Sequence, residues 1–208
     1  VAVDRGRVEA AVYELIAALG EDPSRAELES TPRRVAEAYS EFFSGVGVDA
    51  RDQLGETYPF GGDIDGGFGG SVGPGAASGA SPEPVLVKGL SFRSVCEHHL
   101  LPFRGTAHVA YVPRDRLVGL GRIPAVIEVL ANRPQLQERL GEQIASTLSE
   151  GLDARGVLVV LEAAHGCVTL RGPQQVASTT VTVASRGSLS EPAARAELMG
   201  LIGAEVSS

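Results

Sequence analysis

Two short segments gather all of the cysteines and all but one of the histidines of this chain, side chains that can hold a metal ion or move a proton. The first is Cys96-Glu97-His98-His99. Cys96 and His99 are three residues apart, so a single turn can present a thiolate and an imidazole to one ion. The second is His165-Gly166-Cys167. Residues two apart on a strand point to the same side, so a β conformation there would turn His165 and Cys167 toward one pocket. Together the segments offer two sulfurs and three imidazoles. Zinc takes such ligands tetrahedrally, with Zn–S of about 2.3 Å, and a catalytic zinc keeps one position for water, whose pKa it lowers to about 7. The chemistry to expect is metal-assisted hydrolysis.

The plainer readings are that the two cysteines are buried apolar residues or form a disulfide. The chain has only two cysteines and four histidines, and His98, His99 and His165 all lie within three residues of a cysteine. That clustering favours the metal. His108 stands outside it and reads as structural. Gln137 and Glu138 fall at a helix start, where a glutamate suits the helix dipole even without a ligand. Arg171, followed by Gly172, can bring a guanidinium to the same pocket.

These residues need elements to place them. Residues 4–19 carry Val8, Val12, Leu15, Ile16 and Leu19 at helical spacing, and Gly20 is a natural stop. Thr31 can cap a second helix, with Pro32 in its first turn. Residues 61–84 are dominated by Gly, Ser, Ala and Pro, too poor in apolar surface to offset ordering entropy. The expected organisation is an N-terminal helical region (1–59), a flexible loop (60–84) and a main domain (85–208). In that domain, 85–87, 90–92 and 106–112 read as strand and 123–132 and 134–152 as helices. Leu136, Leu140, Ile144, Leu148 and Leu152 form one apolar stripe. Residues 157–161, 167–170 and 176–183 are β-rich, and 191–202 close the chain as a helix. The order implies an α+β fold, a mainly antiparallel sheet with helices on one face.

The 208 residues are 43% hydrophobic and 21% charged, ordinary for a globular protein. A net charge of −8 argues against a nucleic-acid polymer as partner. No apolar run approaches the ~20 residues that span a bilayer, and the first residues lack a secretory pattern, so no membrane and a cytoplasmic location are expected.

Residues 96–103, Gly105, 108–113, 135–140, 165–167 and Arg171-Gly172 together resemble GTP cyclohydrolase I, with several separated motifs in the right order from about Thr31 onward. The resemblance implies a T-fold (tunnelling fold) subunit and a homodecamer with active sites between subunits. It implies that Cys96, His99 and Cys167 bind Zn2+, that His98 and His165 move protons around the imidazole ring of a purine, and that Glu138, with the Gln137 region, recognises the guanine edge. The reaction implied is hydrolysis at C8 of GTP, with release of formate and formation of 7,8-dihydroneopterin triphosphate.

The departures gather at the phosphate end. Arg34 is present, but Glu37 stands where the family has a second basic residue. Arg122 keeps its charge, while Gly121 and Ala125 replace a hydroxyl and an arginine, and Gln174 replaces another basic residue. A triphosphate wants converging cations, and each lost charged hydrogen bond is worth about 1.5–3 kcal/mol where desolvated. Arg33, Arg93 or Arg186 could compensate. The alternative expectations are the same ring opening on a less phosphorylated or modified purine (monophosphate, nucleoside or base), or a silent paralogue that binds a purine or another subunit.

Overall fold

The structure, a computed structural model, describes residues 3–59, 82–172 and 174–204. The expected Gly-rich loop falls almost wholly on 60–81, outside the described residues. Helix α1 (Arg5–Ala18) is capped by Asp4, whose carboxylate accepts from the Arg7 backbone N–H. It packs on α2 (Thr31–Phe42), yet none of its residues is fully buried. Ser30, not Thr31, occupies the cap position of α2; Thr31 is already helical, with Pro32 behind it. A 3-10 turn (Ala50–Gln53) and a short strand β1 (Thr57–Pro59) follow.

The main sheet begins with β2 (Val85–Cys96) and β3 (Pro102–Val112), an antiparallel hairpin. Strand β4 (Arg116–Val118) pairs with β1 rather than with the main sheet among the described residues. Helix α3 (Arg122–Ala131), a two-residue strand β5 (Pro134–Gln135) and α4 (Gln137–Gly151) come next. The helix expected from Pro134 thus starts three residues later, because Pro134 and Gln135 pair in parallel with the end of β2. Strand β6 (Gly156–His165) leads into one helical turn, α5 (Gly166–Thr169). Strand β7 (Thr180–Gly187) and α6 (Pro192–Gly203) complete the chain. The sheet order is β5-β2-β3-β6-β7.

Alternation along β3 and β6 sorts the core. Ala107, Val109, Tyr111, Val157, Val159 and Leu161 face α3 and α4, whose Ile123, Ile127, Leu140, Ile144 and Leu148 are all but inaccessible. Each such side chain contributes roughly 1.5–3 kcal/mol by burial. Helices do not keep to one face, however. Ala110, Val112, Leu158 and Val160 point the other way and pack under Leu198 of α6. The reason is visible in the unbroken apolar run of 157–161: a strand apolar on both sides needs cover on both. At Gly105 the β3 and β6 backbones come so close that a Cβ would sit 1.9 Å from the Glu162 carbonyl oxygen.

Candidate metal and proton-transfer site

The end of β2, the start of β3 and the end of β6 lie at one end of the sheet, and this is where the chemistry-bearing residues meet. Residues 97–101 bridge β2 to β3. The Cys96 N–H donates to the Leu101 carbonyl, and the Leu100 N–H donates to the Cys96 carbonyl, both at 2.9 Å. Leu100 adopts φ 52° to close this turn. The Glu97 N–H donates to the Gln135 carbonyl, so β5 holds the turn from the side.

His165, the last residue of β6, is paired with Phe103 of β3. The two rings stack at 4.6 Å and 8°. After His165 the chain does not continue as a strand. It turns into α5, with Gly166 so close to β3 that a Cβ would lie 2.8 Å from the Pro102 carbonyl oxygen. The strand expected over 167–170, and with it the same-side argument for His165 and Cys167, is therefore replaced by a helical turn that carries Cys167 toward Cys96.

One ligand atom each of Cys96, His99 and Cys167 lies within 4.8 Å of the others. A tetrahedral ion with bonds of about 2.0–2.3 Å sets its ligand atoms roughly 3.4–3.8 Å apart, so the triad needs only a small contraction to close on one. Both cysteines are free thiols. Cys96 is buried, Cys167 half-buried and His99 exposed, a gradient that leaves one side of the triad open. Burial, and next the neighbouring Cys96, push the Cys167 thiol above its ordinary range. That thiol stays protonated until a cation takes the proton's place. The donor set and spacing fit a thiophilic, tetrahedral cation.

Around the triad stand the other residues singled out by sequence. His98 is exposed, its ring 6.3 Å from that of His99 and nearly perpendicular to it. Burial lowers the His165 pKa below the usual imidazole range, against an opposing pull from Glu138. Gln137 is 1% exposed and its Oε1 lies 2.7 Å from His165 Nε2. Glu138, the next residue of α4, is exposed and lines a cleft of about 210 Å³ between α4 and β7. Arg171 acts on the Cys167 thiol through its charge.

Arg34 and Arg122 are elsewhere. Arg34 is exposed on α2, and Arg122 opens α3 with its guanidinium against Gly55. Among the described residues neither forms a hydrogen bond or ion pair with the triad. The three arginines that could compensate at the phosphate end are all engaged. Arg33 pairs with Glu37 at 2.7 Å. Arg93 lies over the Phe42 ring, 3.6 Å from Glu41. Arg186 pairs with Glu142 and reaches Ser146.

Two residues at the site were not singled out from sequence. Phe103 backs the His165 ring, and its place on the core-facing side of β3 could have been counted from the alternation. Arg139 makes a two-pronged ion pair with Glu97. Nothing in the sequence links those two positions.

The profile of the GTP cyclohydrolase I family matches residues 8–203. A protein named GTP cyclohydrolase 1 from Leifsonia xyli subsp. xyli is 59% identical over 200 residues, covering 96% of each chain. The protein of that name from Streptomyces griseus subsp. griseus is 45% identical, over 97% of this chain and 92% of its own. The one from Rhodopirellula baltica is 44% identical over 96% and 80%.

Proposed function

This chain belongs to the GTP cyclohydrolase I family, and on that premise we propose that it opens the imidazole ring of GTP by hydrolysis at C8, releasing formate and yielding 7,8-dihydroneopterin triphosphate. The observation that carries the reading is the triad of Cys96, His99 and Cys167, drawn together within 4.8 Å.

In this reading Cys96, His99 and Cys167 would hold zinc, which when bound would supply Lewis acidity for the hydrolysis. The remaining work belongs to side chains. His165, lodged against Phe103, moves a proton at the purine ring nitrogen and so makes C8 more electrophilic. His98, on the open side, is the second proton carrier. The Glu138 carboxylate accepts from the ring N–H and the exocyclic amine of guanine, a pairing an acid suits. One hydrolysis opens the ring to a formamide and a second releases formate; the ribose carbons then rearrange and reclose on the freed amine with loss of one water, giving the pterin ring. Arg171 meets the negative charge of the substrate near Cys167.

Arg34 and Arg122 bind the triphosphate from a neighbouring subunit. Their separation from the triad within one chain supports that assignment, as do the unengaged ion-pairing groups of both among the described residues. We read the catalytic unit as a T-fold spanning 85–208, with 1–59 as a helical region, assembled as a homodecamer with active sites between subunits. Exposed Tyr13 and Leu15 on α1, Leu19 just past its end, and Val181 and Val183 on the edge strand β7 support association. No helix among the described residues is long and apolar enough to cross a membrane.

The test is a substrate panel on zinc-loaded protein, from guanine and guanosine through GMP to GTP, with formate and pterin fluorescence as readouts. GTP is the expected substrate. A clear preference for GMP, guanosine or guanine would overturn the triphosphate assignment, and no turnover of any would overturn the enzyme.

A further inference from the structure

Gln137 is a fully buried polar side chain at the site, and both the nitrogen and the oxygen of its amide have partners. The two hydrogens on its Nε2 are shared among three acceptors, the Leu161 carbonyl at 3.0 Å, the Thr180 carbonyl at 2.9 Å and Thr182 Oγ1 at 3.1 Å. Two of these partners are backbone carbonyls, which only accept. The amide orientation is therefore settled: nitrogen toward β6 and β7, oxygen toward His165. An amide oxygen cannot donate, so the proton in the 2.7 Å contact between Gln137 Oε1 and His165 Nε2 belongs to the histidine. Among the described residues no hydrogen bond reaches His165 Nδ1, and the stack on Phe103 fixes the plane of the ring.

We infer that Gln137 is a positioning residue that locks His165 as its Nε2–H tautomer, which makes Nδ1 the nitrogen that exchanges a proton with the purine. The inference rests on the reading of His165 as a proton carrier. It assigns Gln137 no contact with guanine, leaving that edge to Glu138. Nε2 keeps its hydrogen in both charge states. The neutral ring then offers a lone pair at Nδ1, and the protonated ring offers a hydrogen there. Freed from Gln137, the imidazole would populate the other tautomer and turn an N–H toward the place where the lone pair is needed.

Nitrogen-15 spectra of histidine-labelled protein, in buffer alkaline enough to keep the ring neutral, test the tautomer directly; the difference from His165→Gln assigns the signals. Nε2 protonated and Nδ1 bare is expected, and the reverse overturns the inference even if no Gln137 variant folds. Gln137→Met, similar in length but with only a weakly accepting thioether in place of the amide, should keep bound metal and the KM for GTP. Its kcat should fall on the order of 10- to 100-fold, as for other buried partners that orient an imidazole. A raised KM with unchanged kcat would mean that Gln137 touches the purine, and would also overturn the inference. If His165→Gln abolishes turnover while Gln137→Met keeps full kcat, the positioning role alone fails. Full turnover by His165→Gln would instead remove the proton-carrier reading.

Discussion

Glu97 and Arg139 face each other in a two-pronged ion pair, with oxygen–nitrogen distances of 2.6 and 2.9 Å. Glu97 sits inside the turn that carries Cys96 and His99, and Arg139 sits two residues past Gln137 on α4. The pair ties the ligand-bearing turn to the helix that presents Gln137 and Glu138. Arg139 holds the Glu97 carboxyl below the usual carboxylate range. Both side chains are partly solvated, so little global stability is expected from them. Their effect should appear at the metal. Arg139→Ala should weaken zinc binding by about tenfold, measured by chelator competition, with an unchanged urea midpoint. The swap Glu97→Arg with Arg139→Glu should recover part of the loss. Unaltered affinity in Arg139→Ala would show that the turn holds its shape without the pair.

On the proposed assignment of Cys96, His99 and Cys167 as zinc ligands and of His98 and His165 as proton carriers, removing one kind of residue should separate cleanly from removing the other. Cys96→Ala and Cys167→Ser should lose bound zinc, assayed by elemental analysis after dialysis, and turnover with it. His98→Ala should retain zinc and lose kcat by about 10²- to 10⁴-fold, the usual reach of general acid–base catalysis. Zinc retained at full occupancy in Cys167→Ser would show that the two distant segments do not share one ion.

The proposed placement of the active sites between subunits predicts complementation. Arg122→Ala homo-oligomers and His165→Ala homo-oligomers should each be nearly inactive. Subunits unfolded together and reassembled as mixed oligomers should regain turnover, because some sites then draw an intact arginine from one chain and an intact histidine from another. No recovery, with mixing verified by mass spectrometry, would place Arg122 and His165 in the same subunit's site or remove Arg122 from it.

His108 supplies a pH signature away from the metal. Burial, reinforced by Lys88 and opposed by Glu162, lowers its pKa from the ordinary imidazole value of about 6.5. Its Nδ1 is buried without a partner among the described residues. A folded-state value below the unfolded one means that the unfolded chain takes up the proton more readily. This contribution to stability is present above about pH 6.5 and drains away as pH falls toward the lowered folded value. Lys88 also caps α6, donating to the Leu201 and Ala204 carbonyls at 2.7 and 2.8 Å, so a charged His108 would press on the group that anchors that helix. Urea midpoints followed from neutral to mildly acid pH should fall for the parent chain, and His108→Gln should flatten that part of the slope. An identical slope in both would assign the acid sensitivity to other groups.

Much of this protein was decided one residue after another along the chain. The apolar stripe of α4, the alternation of β3 and the pairing of cysteine with histidine at 96–99 depend on local periodicity and spacing, which a linear sequence carries in full. The same holds for the motifs that place the chain in its family. Other features depend on what lies across the fold. Cys96 and Cys167 meet because β3 pairs with both β2 and β6, a long-range register. The stretch after His165 reads as strand because Val168 and Thr169 favour one. It turns instead, since Gly166 must pack against the backbone of Pro102. Helix α6 covers the second face of the sheet because β6 is apolar on both sides, while the run of apolar residues alone does not say what covers them. Gln137 looked like a residue for the ligand. Only the carbonyls of Leu161 and Thr180, brought to it by β6 and β7, turn its amide toward His165. Hydrogen bonds are directional and act at about 3 Å, so which partner a buried amide meets is set by tertiary contacts that spacing along the chain does not encode.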